Sequence, residues 1–548
     1  MKKFKLWGNL GLTVFFIIAY IVNPSNLNPL YAQGAFSLLF MVSAYVVVNS
    51  TAALAGIKID KDELGQVKIN VDKKTKGLKG LVITLACLWG VYMLVNFISI
   101  PLFNFWAYRD QLGDMEVTEF SDDVQLMDLS QVPIVDQDLA KTLADKKLGE
   151  DAGIGSQVFV GEPVMQQVDG KLVWVVPLQH SGFFKWLNNL SGSAGYIIVS
   201  ATDQTDITLV ESAIKYQPSS YFFDDIDRYL RVVKGYVFSG ITDYSFEIDD
   251  DGTPYWIITT YKNTWLFDLP EATGVIILNA TTGQTSQYTI DTVPDWVDRV
   301  QPEDFIIDQI NNQGIYVHGV FNFSNKDKFM TSNESAIIYN DGNCYLFTGL
   351  TSVGADESAI GFVMVDMVTK EVKIYQISGA TETAAMNSAE GSVQQYGYTA
   401  TSPIIINHQG IPSYFITLKD NSGLIKQYAF VSVADVTTVG VGESISSAIS
   451  NYEKSLSESN SFVVDTEETG ELETYTGQIV RIASESLDSS LYYKFIIEGK
   501  EDKIFIASSS LSDELALSLE GDGVQITYYS TDDGVINVVS FDNKEFTQ

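Results

Sequence analysis

The sequence predicts an α+β protein held in a membrane by three N-terminal helices. Three observations lead to this prediction. Residues 1–104 contain three long apolar segments. Residues 136–456 repeat a pattern of turn, aromatic strand, loop and apolar strand, with helical segments between the copies, which predicts modules of a helix plus an antiparallel sheet. Residues 475–548 read as short strands separated by turns, which predicts a small β-barrel.

The three apolar segments have the length of transmembrane helices, for which about 20 apolar residues suffice. They are Leu6–Val22, Ala35–Ile57 and Gly80–Phe103. Lysines precede the first segment and fill the loop before the third, and short lysine-rich loops stay in the cytoplasm. We expect residues 1–104 to be a multi-pass anchor in the cell membrane, with a cytoplasmic N-terminus and an extracytoplasmic remainder. Alternatively, residues 1–33 are a signal peptide cleaved near Ala32, which leaves the final orientation unchanged.

The charge of the chain changes sign at the end of the apolar N-terminal region. Residues 1–104 carry a net charge of +6 and the remainder carries −41. A body this acidic is repelled by nucleic acid and by anionic lipid headgroups, and it can attract cations or a basic partner. Acidic residues also keep a soluble body in solution, which is the alternative explanation. We therefore predict no nucleic-acid partner.

The segment after the spans predicts a stalk. Phe105, Trp106 and Tyr108 suit the membrane–water interface, and the rest of residues 105–135 is acidic and weakly patterned. A short helix follows, which Asp136 can cap and Gly149 can end.

The repeated pattern is clearest at DGTPYWIITTY from Asp251, followed by GVIILNATTGQTSQY from Gly274. Related copies begin at Asp169 and Gly195, at Asp341 and Gly361, and at Gln409. Asp-Gly and Thr-Gly form turns because glycine accepts positive φ, and the β-branched and aromatic runs between them suit strands. We expect α+β modules over residues 136–300 and further modules over residues 301–456.

A helix followed by DG…YW strands and a GVIILNATTGQ hairpin resembles the PepSY domain, a small extracytoplasmic α+β module. The resemblance covers residues 136–204 and 225–290, and it extends less closely over 302–375 and 385–456. It implies a role in inhibiting or modulating a peptidase at the cell surface.

The end of the chain differs in character. Residues 457–474 are polar and acidic, which predicts a linker. The five strand-like runs of residues 475–548 then predict a barrel that is OB-like. OB folds often bind single-stranded nucleic acid through basic grooves, but this tail holds 5 Lys plus Arg and 13 acidic residues. Nucleic acid is again excluded.

Few residues offer catalytic chemistry. Cys87 lies in the third apolar segment, so no intrachain disulfide with Cys344 is expected, and Cys344 itself is predicted to be buried rather than nucleophilic. His180, His318 and His408 are far apart, and no metal-binding histidine spacing occurs. We predict no catalytic residue, no cofactor and no cofactor-binding residue, although a dispersed Ser–His–Asp triad stays open.

Three further segments have two interpretations each. The turn Asp249-Asp250-Asp251-Gly252 offers oxygen ligands for calcium or is a plain hairpin turn, so a metal site stays open. Residues 378–403, around Glu382 and Glu390, form either helix-and-turn packing or a functional groove. Asn49, Ser50 and Thr51 in the second apolar segment are expected to hydrogen-bond a neighbouring helix.

These observations favour a membrane-anchored, extracytoplasmic, non-enzymatic scaffold or binding protein of a bacterial envelope assembly, with a protein partner that is a peptidase if the resemblance holds. The alternative is a cell-surface hydrolase with a dispersed acidic active site. Carboxylates clustered with His318 or His408 in one cleft would favour the hydrolase. The oligomeric state is left open.

Overall fold

The computed structural model describes most of the chain. The described residues are 2–54, 58–61, 67–70, 74–125, 132–218, 220–353, 358–458, 472–487, 490–501, 503–509, 511–529 and 535–546. The predicted linker therefore lies mostly outside the described residues.

Three helices are long and apolar enough to cross a membrane. They are α1 (Lys2–Val22), α2 (Ala32–Leu54) and α3 (Lys74–Ser99), with the hairpin β1 (Lys58–Lys61) and β2 (Val67–Asn70) between α2 and α3. The Asn49 amide donates to Asn9 Oδ1 at 3.0 Å, which ties α2 to α1 as predicted, whereas the Ser50 hydroxyl bonds Val46 O of its own helix. The side chain of Thr51 lies outside the described residues.

The third helix ends four residues earlier than predicted. Ile100 has an extended backbone because a residue before proline avoids the helical region, and Pro101 then starts a separate helix, α4 (Pro101–Arg109). The segment after α4 contains β3 (Glu116–Val117) and α5 (Phe120–Asp123).

The structure differs from the predicted stalk at residues 105–135. Strand β3 pairs in parallel with Lys373–Ile374, and Leu112, Phe120 and Val135 are buried in hydrophobic cores. The segment contributes single apolar residues to several different hydrophobic cores of the body, so its sequence shows no periodic pattern.

Unit 1, residues 132–214, is a helix packed on an antiparallel sheet. It contains α6 (Gln137–Gly149), α7 (Ala152–Gly155), β4 (Val158–Val160), β5 (Val164–Val168), β6 (Lys171–His180), α8 (Phe183–Asn188), β7 (Ser193–Ser200) and β8 (Ile207–Ile214). Strands β4 and β5 both pair with β6, and the order continues β6-β7-β8. Asp136 Oδ1 accepts the Leu139 amide at 2.8 Å, so the predicted cap of α6 is confirmed.

Unit 2, residues 226–289, has a four-stranded antiparallel sheet in the order β12-β11-β10-β9. Its elements are α9 (Ile226–Arg228), which continues into a π-turn at Tyr229–Val233, β9 (Gly240–Ile248), β10 (Pro254–Trp265), β11 (Asp268–Asn279) and β12 (Thr285–Thr289).

Unit 3, residues 303–380, combines a helix with a sheet in the order β13-β14-β15-β16-β3. Its elements are α10 (Glu303–Ile315), β13 (Phe329–Asn340), β14 (Asn343–Ser352), β15 (Ser358–Asp366), β16 (Val372–Tyr375) and β17 (Gly379–Ala380), which pairs with β15.

Unit 4, residues 382–458, has two helices and a sheet in the order β18-β20-β21-β22. Its elements are α11 (Glu382–Ser392), β18 (Thr399–Ala400), β19 (Ile404–His408), β20 (Ile411–Lys419), β21 (Ile425–Ser432), β22 (Val439–Gly442) and α12 (Ile445–Glu458), and β19 also pairs with β20.

The sequence repeat corresponds to one hairpin that recurs in units 1, 3 and 4. Its two-residue turns are Asp169-Gly170, Asp341-Gly342 and Gln409-Gly410, and both residues of each turn have positive φ. This is the type I′ turn, whose twist matches that of paired strands. The hairpins predicted at Asp169, Asp341 and Gln409 are confirmed. The copy at Asp251 differs, because residues 249–253 form a longer loop between β9 and β10, in which Gly252 has positive φ.

The four units share their cores. One core joins unit 1 to unit 4, a second joins unit 3 to unit 4, and a third joins unit 1 to unit 2. Units 2 and 3 meet where the Val300 and Gln301 amides both donate to Met367 O at 2.8 Å. Packing therefore continues across residue 300, the predicted boundary between two sets of modules. In addition, the helix of unit 1 is buried against unit 4, the last unit of the body.

The tail contains five strands and a 3₁₀-helix at Asp513–Leu517. The strands are β23 (Leu472–Leu487), β24 (Ser490–Ile497), β25 (Ile504–Ser508), β26 (Gly523–Tyr529) and β27 (Val535–Asn543). Their pairings form a ring in the order β23-β24-β25-β27-β26, in which β25 and β27 are parallel. A separate core, with Phe495 and Phe505 at its centre, fills the interior.

Candidate functional site

A cleft of about 340 Å³ lies where units 1, 3 and 4 meet; we call it the unit cleft. Unit 1 contributes the N-terminus of α6 and Trp174, and β13 contributes Ser335. Unit 4 contributes Phe415 and the hydroxyl-bearing Thr401, Ser402 and Thr417. The lining thus contains both large apolar side chains and hydroxyl groups.

Arg299 lines this cleft from the segment that precedes α10. Among the described residues, its guanidinium has no hydrogen-bond partner, and Nε is buried without one. The backbone on both sides is fixed, because the Asp298 amide donates to Glu247 Oε2 at 3.2 Å and the Val300 amide donates to Met367 O at 2.8 Å. A permanently charged group is therefore held at the cleft with unused donors.

Two of the three acidic residues that line the cleft, Asp136 and Glu303, already have side-chain partners. Asp136 caps α6 and forms an ion pair with Lys419. Glu303 Oε1 accepts the Ser335 hydroxyl at 2.9 Å. The first bond joins unit 1 to unit 4, and the second lies within unit 3. Asp138 is exposed in the first turn of α6, and the Arg299 guanidinium is the cation of the cleft that has no hydrogen bond among the described residues.

Two buried carboxyl groups lie behind Arg299. Glu247 accepts from the Ser245 hydroxyl at 2.9 Å, and Asp298 accepts from the Gln167 amide at 3.0 Å and the Tyr339 hydroxyl at 2.9 Å. Burial, together with the neighbouring Asp298, raises the pKa of Glu247 to about 8. Burial also raises the pKa of Asp298 above its ordinary value. The pair therefore favours a protonated Glu247 at neutral pH.

Glu247→Gln is expected to remove much of the pH dependence of stability between about pH 5 and pH 8. The folded state holds this proton more tightly than the unfolded state, whose pKa stays near 4.5, so stability falls as pH rises towards 8. The slope for one such group is at most about 1.4 kcal/mol per pH unit. Glutamine mimics the neutral acid and should flatten the curve of melting temperature against pH. As a control, Glu162→Gln at an exposed position should leave the dependence of melting temperature on pH unchanged. Equal slopes of melting temperature against pH for the wild type and Glu247→Gln would contradict the assignment of a proton to Glu247.

Cys344 is buried next to this pair, as predicted. Its side chain is 3% exposed, and burial raises its pKa to about 12. A thiol of that pKa is not ionised near neutral pH, and the thiolate is the nucleophilic form. Cys344 fills space in the core of unit 3.

The three histidines lie apart from one another and outside the unit cleft. His318 contacts Asp327 at 2.7 Å on an exposed loop, and His408 lies 3.4 Å from Glu453. His180 is buried at a second cavity of about 390 Å³, where burial lowers its pKa and both ring nitrogens have no partner among the described residues. The arrangement of carboxylates with His318 or His408 that would favour a hydrolase is not seen in the part of the chain described.

The other predicted candidates have structural roles. Asp249 Oδ1 accepts the amides of Asp251 and Thr253 at 3.1 and 2.7 Å, as a plain turn requires. No cluster of three potential metal ligands occurs among the described residues. In residues 378–403, Glu382 is 2% exposed and accepts the Gly349 amide at 2.6 Å, and Glu390 accepts the Ala400 amide at 2.8 Å. Helix-and-turn packing accounts for this segment.

Arg299, Glu247 and Asp298 were not recognised from the sequence. Glu247 and Asp298 are 51 residues apart in the chain, and no motif links them. One signal was present, because the chain has only five arginines and Arg299 stands directly after Asp298 and before Val300, in an otherwise apolar run of a strongly acidic body.

No family model matches the chain, and no curated protein matches it. Among solved structures, a levansucrase mutant from B. megaterium covers 78% of this chain and 96% of its own length, at 10% identity and a TM-score of 0.19. A similarity of that size does not define a common fold, so neither fold nor function is taken from it.

Proposed function

We propose that this chain is a membrane-anchored, non-enzymatic binding protein of a bacterial cell envelope, with its body outside the cytoplasm. The lysines before the first and third spans and the acidic body beyond them support this orientation. The observation that carries the binding role is the unit cleft, which contains a guanidinium with no hydrogen-bond partner among the described residues, although the carboxyl groups of Glu247 and Glu303 interact with its charge.

The chemistry of the cleft favours an acidic segment of a protein partner. A guanidinium binds a carboxylate through two parallel hydrogen bonds, which are stronger than bonds between neutral groups. The Ser402 hydroxyl donates to Glu334 at 2.7 Å and the Thr417 hydroxyl bonds the Thr401 hydroxyl at 2.9 Å, and their remaining lone pairs can accept backbone amides of such a segment. Trp174 and Phe415 supply apolar surface. The resemblance of the units to the PepSY domain makes a cell-surface peptidase the first partner to test.

Hydrolysis is the alternative function. It needs an imidazole or a carboxyl group that is free to transfer a proton at the bound substrate. Asp136 and Glu303 are engaged in structural bonds, and the histidines lie outside the cleft. The third lining carboxylate, Asp138, is exposed in the first turn of α6 and has no histidine beside it in the cleft. This arrangement supports binding over hydrolysis.

We also propose that the tail is OB-like. Its first strand, β23, pairs with both the second and the fourth, and its third strand is parallel to the fifth. This strand order supports the proposal, and the net charge of the tail argues for a protein partner here as well.

A photo-crosslinking residue at Ser402, in the full chain in intact cells, should give an adduct with a discrete protein. Arg299→Met in the same background should reduce the yield by about tenfold or more, because a hydrogen bond to a charged group is worth about 1.5–3 kcal/mol. The crosslinking residue at exposed Tyr396, in unit 4 outside the cleft lining, is the control and should not give this adduct. An unchanged yield with Arg299→Met, in a variant that melts at the wild-type temperature, would overturn the proposal.

A further inference from the structure

Unit 2 rests directly on the ends of the three membrane helices. The Tyr31 hydroxyl, at the start of α2, donates to Tyr261 O at 2.7 Å, and the Leu27 amide donates to Val237 O at 3.0 Å. At the other side, the Phe267 ring lies 5.8 Å from Tyr92 in α3. These contacts place the loops of unit 2 at the level where the spans leave the membrane.

The loops at this level expose large apolar side chains. Asn28, between α1 and α2, donates to Phe238 O at 3.0 Å, and the Phe238 side chain is 61% exposed. Arg228 donates to both Val22 O, at the end of α1, and Phe222 O, and the Phe222 side chain is 62% exposed. At each of these two contacts with the membrane anchor, the residue whose backbone oxygen accepts the hydrogen bond, or shares the donor, is a phenylalanine with an exposed ring.

Two neighbouring loops extend the same surface. The Phe222 ring lies 5.5 Å from Trp186 in α8, and Phe184, two residues before Trp186, is 74% exposed. In unit 3, Gly319 sits so close to Phe105 of α4 that a side-chain carbon at Gly319 would lie 3.3 Å from the Phe105 ring. The loop that follows carries Phe321 and Phe323, which are 72% and 85% exposed. We call these residues the leaflet patch: Phe184, Phe222, Phe238, Phe321 and Phe323.

Single exposed apolar residues are common, but a group of phenylalanines along one side of a body is not. Burying each ring contributes about 1.5–3 kcal/mol, so several rings together outweigh the repulsion between an acidic body and a charged surface. Lysines flank part of the patch, with Lys185 beside Phe184, and Lys326 and Lys328 after Phe323, whereas Asp224 and Asp225 follow Phe222. Aromatic rings with flanking cations are typical of proteins at the membrane–water interface.

We propose that the leaflet patch inserts into the lipid leaflet next to the body, so that the body lies on the bilayer in one fixed orientation. Lipid is the occupant because the patch is continuous with the ends of the spans. The inference rests on the membrane anchoring of the proposed function but is independent of ligand binding at the unit cleft. It predicts that the body keeps its contact with the bilayer through unit 1 and unit 3 as well as through unit 2.

Site-directed fluorescence quenching in lipid vesicles tests this docking. The full chain, with Cys87→Ala and Cys344→Ala, receives one new cysteine by Phe184→Cys or Phe323→Cys and is labelled with bimane. The vesicles contain phosphatidylcholine with a share of nitroxide-labelled phosphatidylcholine, and iodide is the aqueous quencher. We expect the nitroxide lipid to quench both labels and iodide to quench them severalfold less than a label introduced by Tyr396→Cys. Tyr396 is 57% exposed and belongs to unit 4, whose cores are shared with other units of the body rather than with the spans.

A label introduced by Leu94→Cys, in the third span, tests the membrane anchor separately from the docking of the body on the bilayer. Leu94 is 54% exposed on the surface of α3. One result would overturn the docking and leave the anchor in place. In that case the nitroxide lipid quenches the Leu94→Cys label, but iodide quenches the Phe184→Cys and Phe323→Cys labels as strongly as the Tyr396→Cys label. A Leu94→Cys label that the nitroxide lipid does not quench would overturn the membrane anchor and the docking with it.

Discussion

Gly274→Ala is expected to destabilise the body by about 3–5 kcal/mol, which is a large share of the stability of an ordinary domain. Gly274 opens the apolar half of β11 with a φ of +145°, a conformation that residues with side chains rarely adopt. A side-chain carbon at this position would lie 2.0 Å from Tyr288 O on the paired strand β12. Because the obstacle is backbone, the two strands would have to separate, and the core behind Val275 and Ile276 would open.

Gly391→Ala is the matched control in the same chain. Gly391 is an exposed residue of helix α11, and no atom lies within 4 Å of its missing side chain. Alanine there should be neutral or stabilising by a few tenths of a kcal/mol, since Gly391 lies in the last turn of α11, where the preference for alanine over glycine is weaker than in a helix interior. The measurement is denaturant unfolding of both variants under identical conditions. A loss below about 1 kcal/mol for Gly274→Ala would show that the strand relaxes around the new methyl group and that the glycine has no steric role.

The same glycine explains why the repeat could be read from the sequence. Gly195 occupies the matching place in unit 1, with a φ of +142° and Val210 O 2.0 Å from its missing side chain. Gly361, at the matching place of unit 3, has no positive φ, and unit 4 has no glycine there. The repeat was therefore visible where local backbone geometry demanded a particular residue. The cap at Asp136 and the Asp-Gly turns were predictable for the same reason.

Features that depend on distant partners could not be predicted. Strand β3 pairs with Lys373–Ile374, more than 250 residues later in the chain, and it is only two residues long. The buried pair Glu247 and Asp298 has the composition of an ordinary acidic surface, and only the fold places it behind Arg299. Local signals such as turn residues, helix caps and the length of apolar segments were sufficient to predict many of the helices and strands. The arrangement of the four units, and with it the unit cleft, required tertiary contacts that no spacing indicated.

Shared packing between the first and the last unit has a functional consequence. The unit cleft is formed by residues from units 1, 3 and 4, so its shape depends on all three staying together. The ion pair of Asp136 with Lys419 joins unit 1 to unit 4, and the Ser402 hydroxyl of unit 4 donates to Glu334 of unit 3 at 2.7 Å, but partly exposed polar bonds add little to stability. The large contribution must come from the apolar core that unit 1 and unit 4 share.

Phe430→Ala tests that core and is expected to cost about 3–5 kcal/mol, as truncation of a buried phenylalanine usually does. Phe430 is fully buried in β21, with its ring 5.3 Å from Phe415 and 6.0 Å from Tyr452. The same core contains Leu139 and Leu143 of α6 in unit 1. Loosening unit 4 should therefore also expose α6, although α6 precedes Phe430 by more than 280 residues.

Amide hydrogen exchange separates the two possible responses to Phe430→Ala. We expect protection to fall in α6 together with β20 and β21, because these elements bury one another's apolar faces. Phe495→Ala is the control, since Phe495 is 1% exposed in the separate core of the tail. That substitution should reduce protection in β24 and β25 while α6 keeps its wild-type protection. If Phe430→Ala reduced protection in unit 4 alone, each unit would be stable by itself, and the unit cleft would be a contact between independent modules rather than a site built into one body.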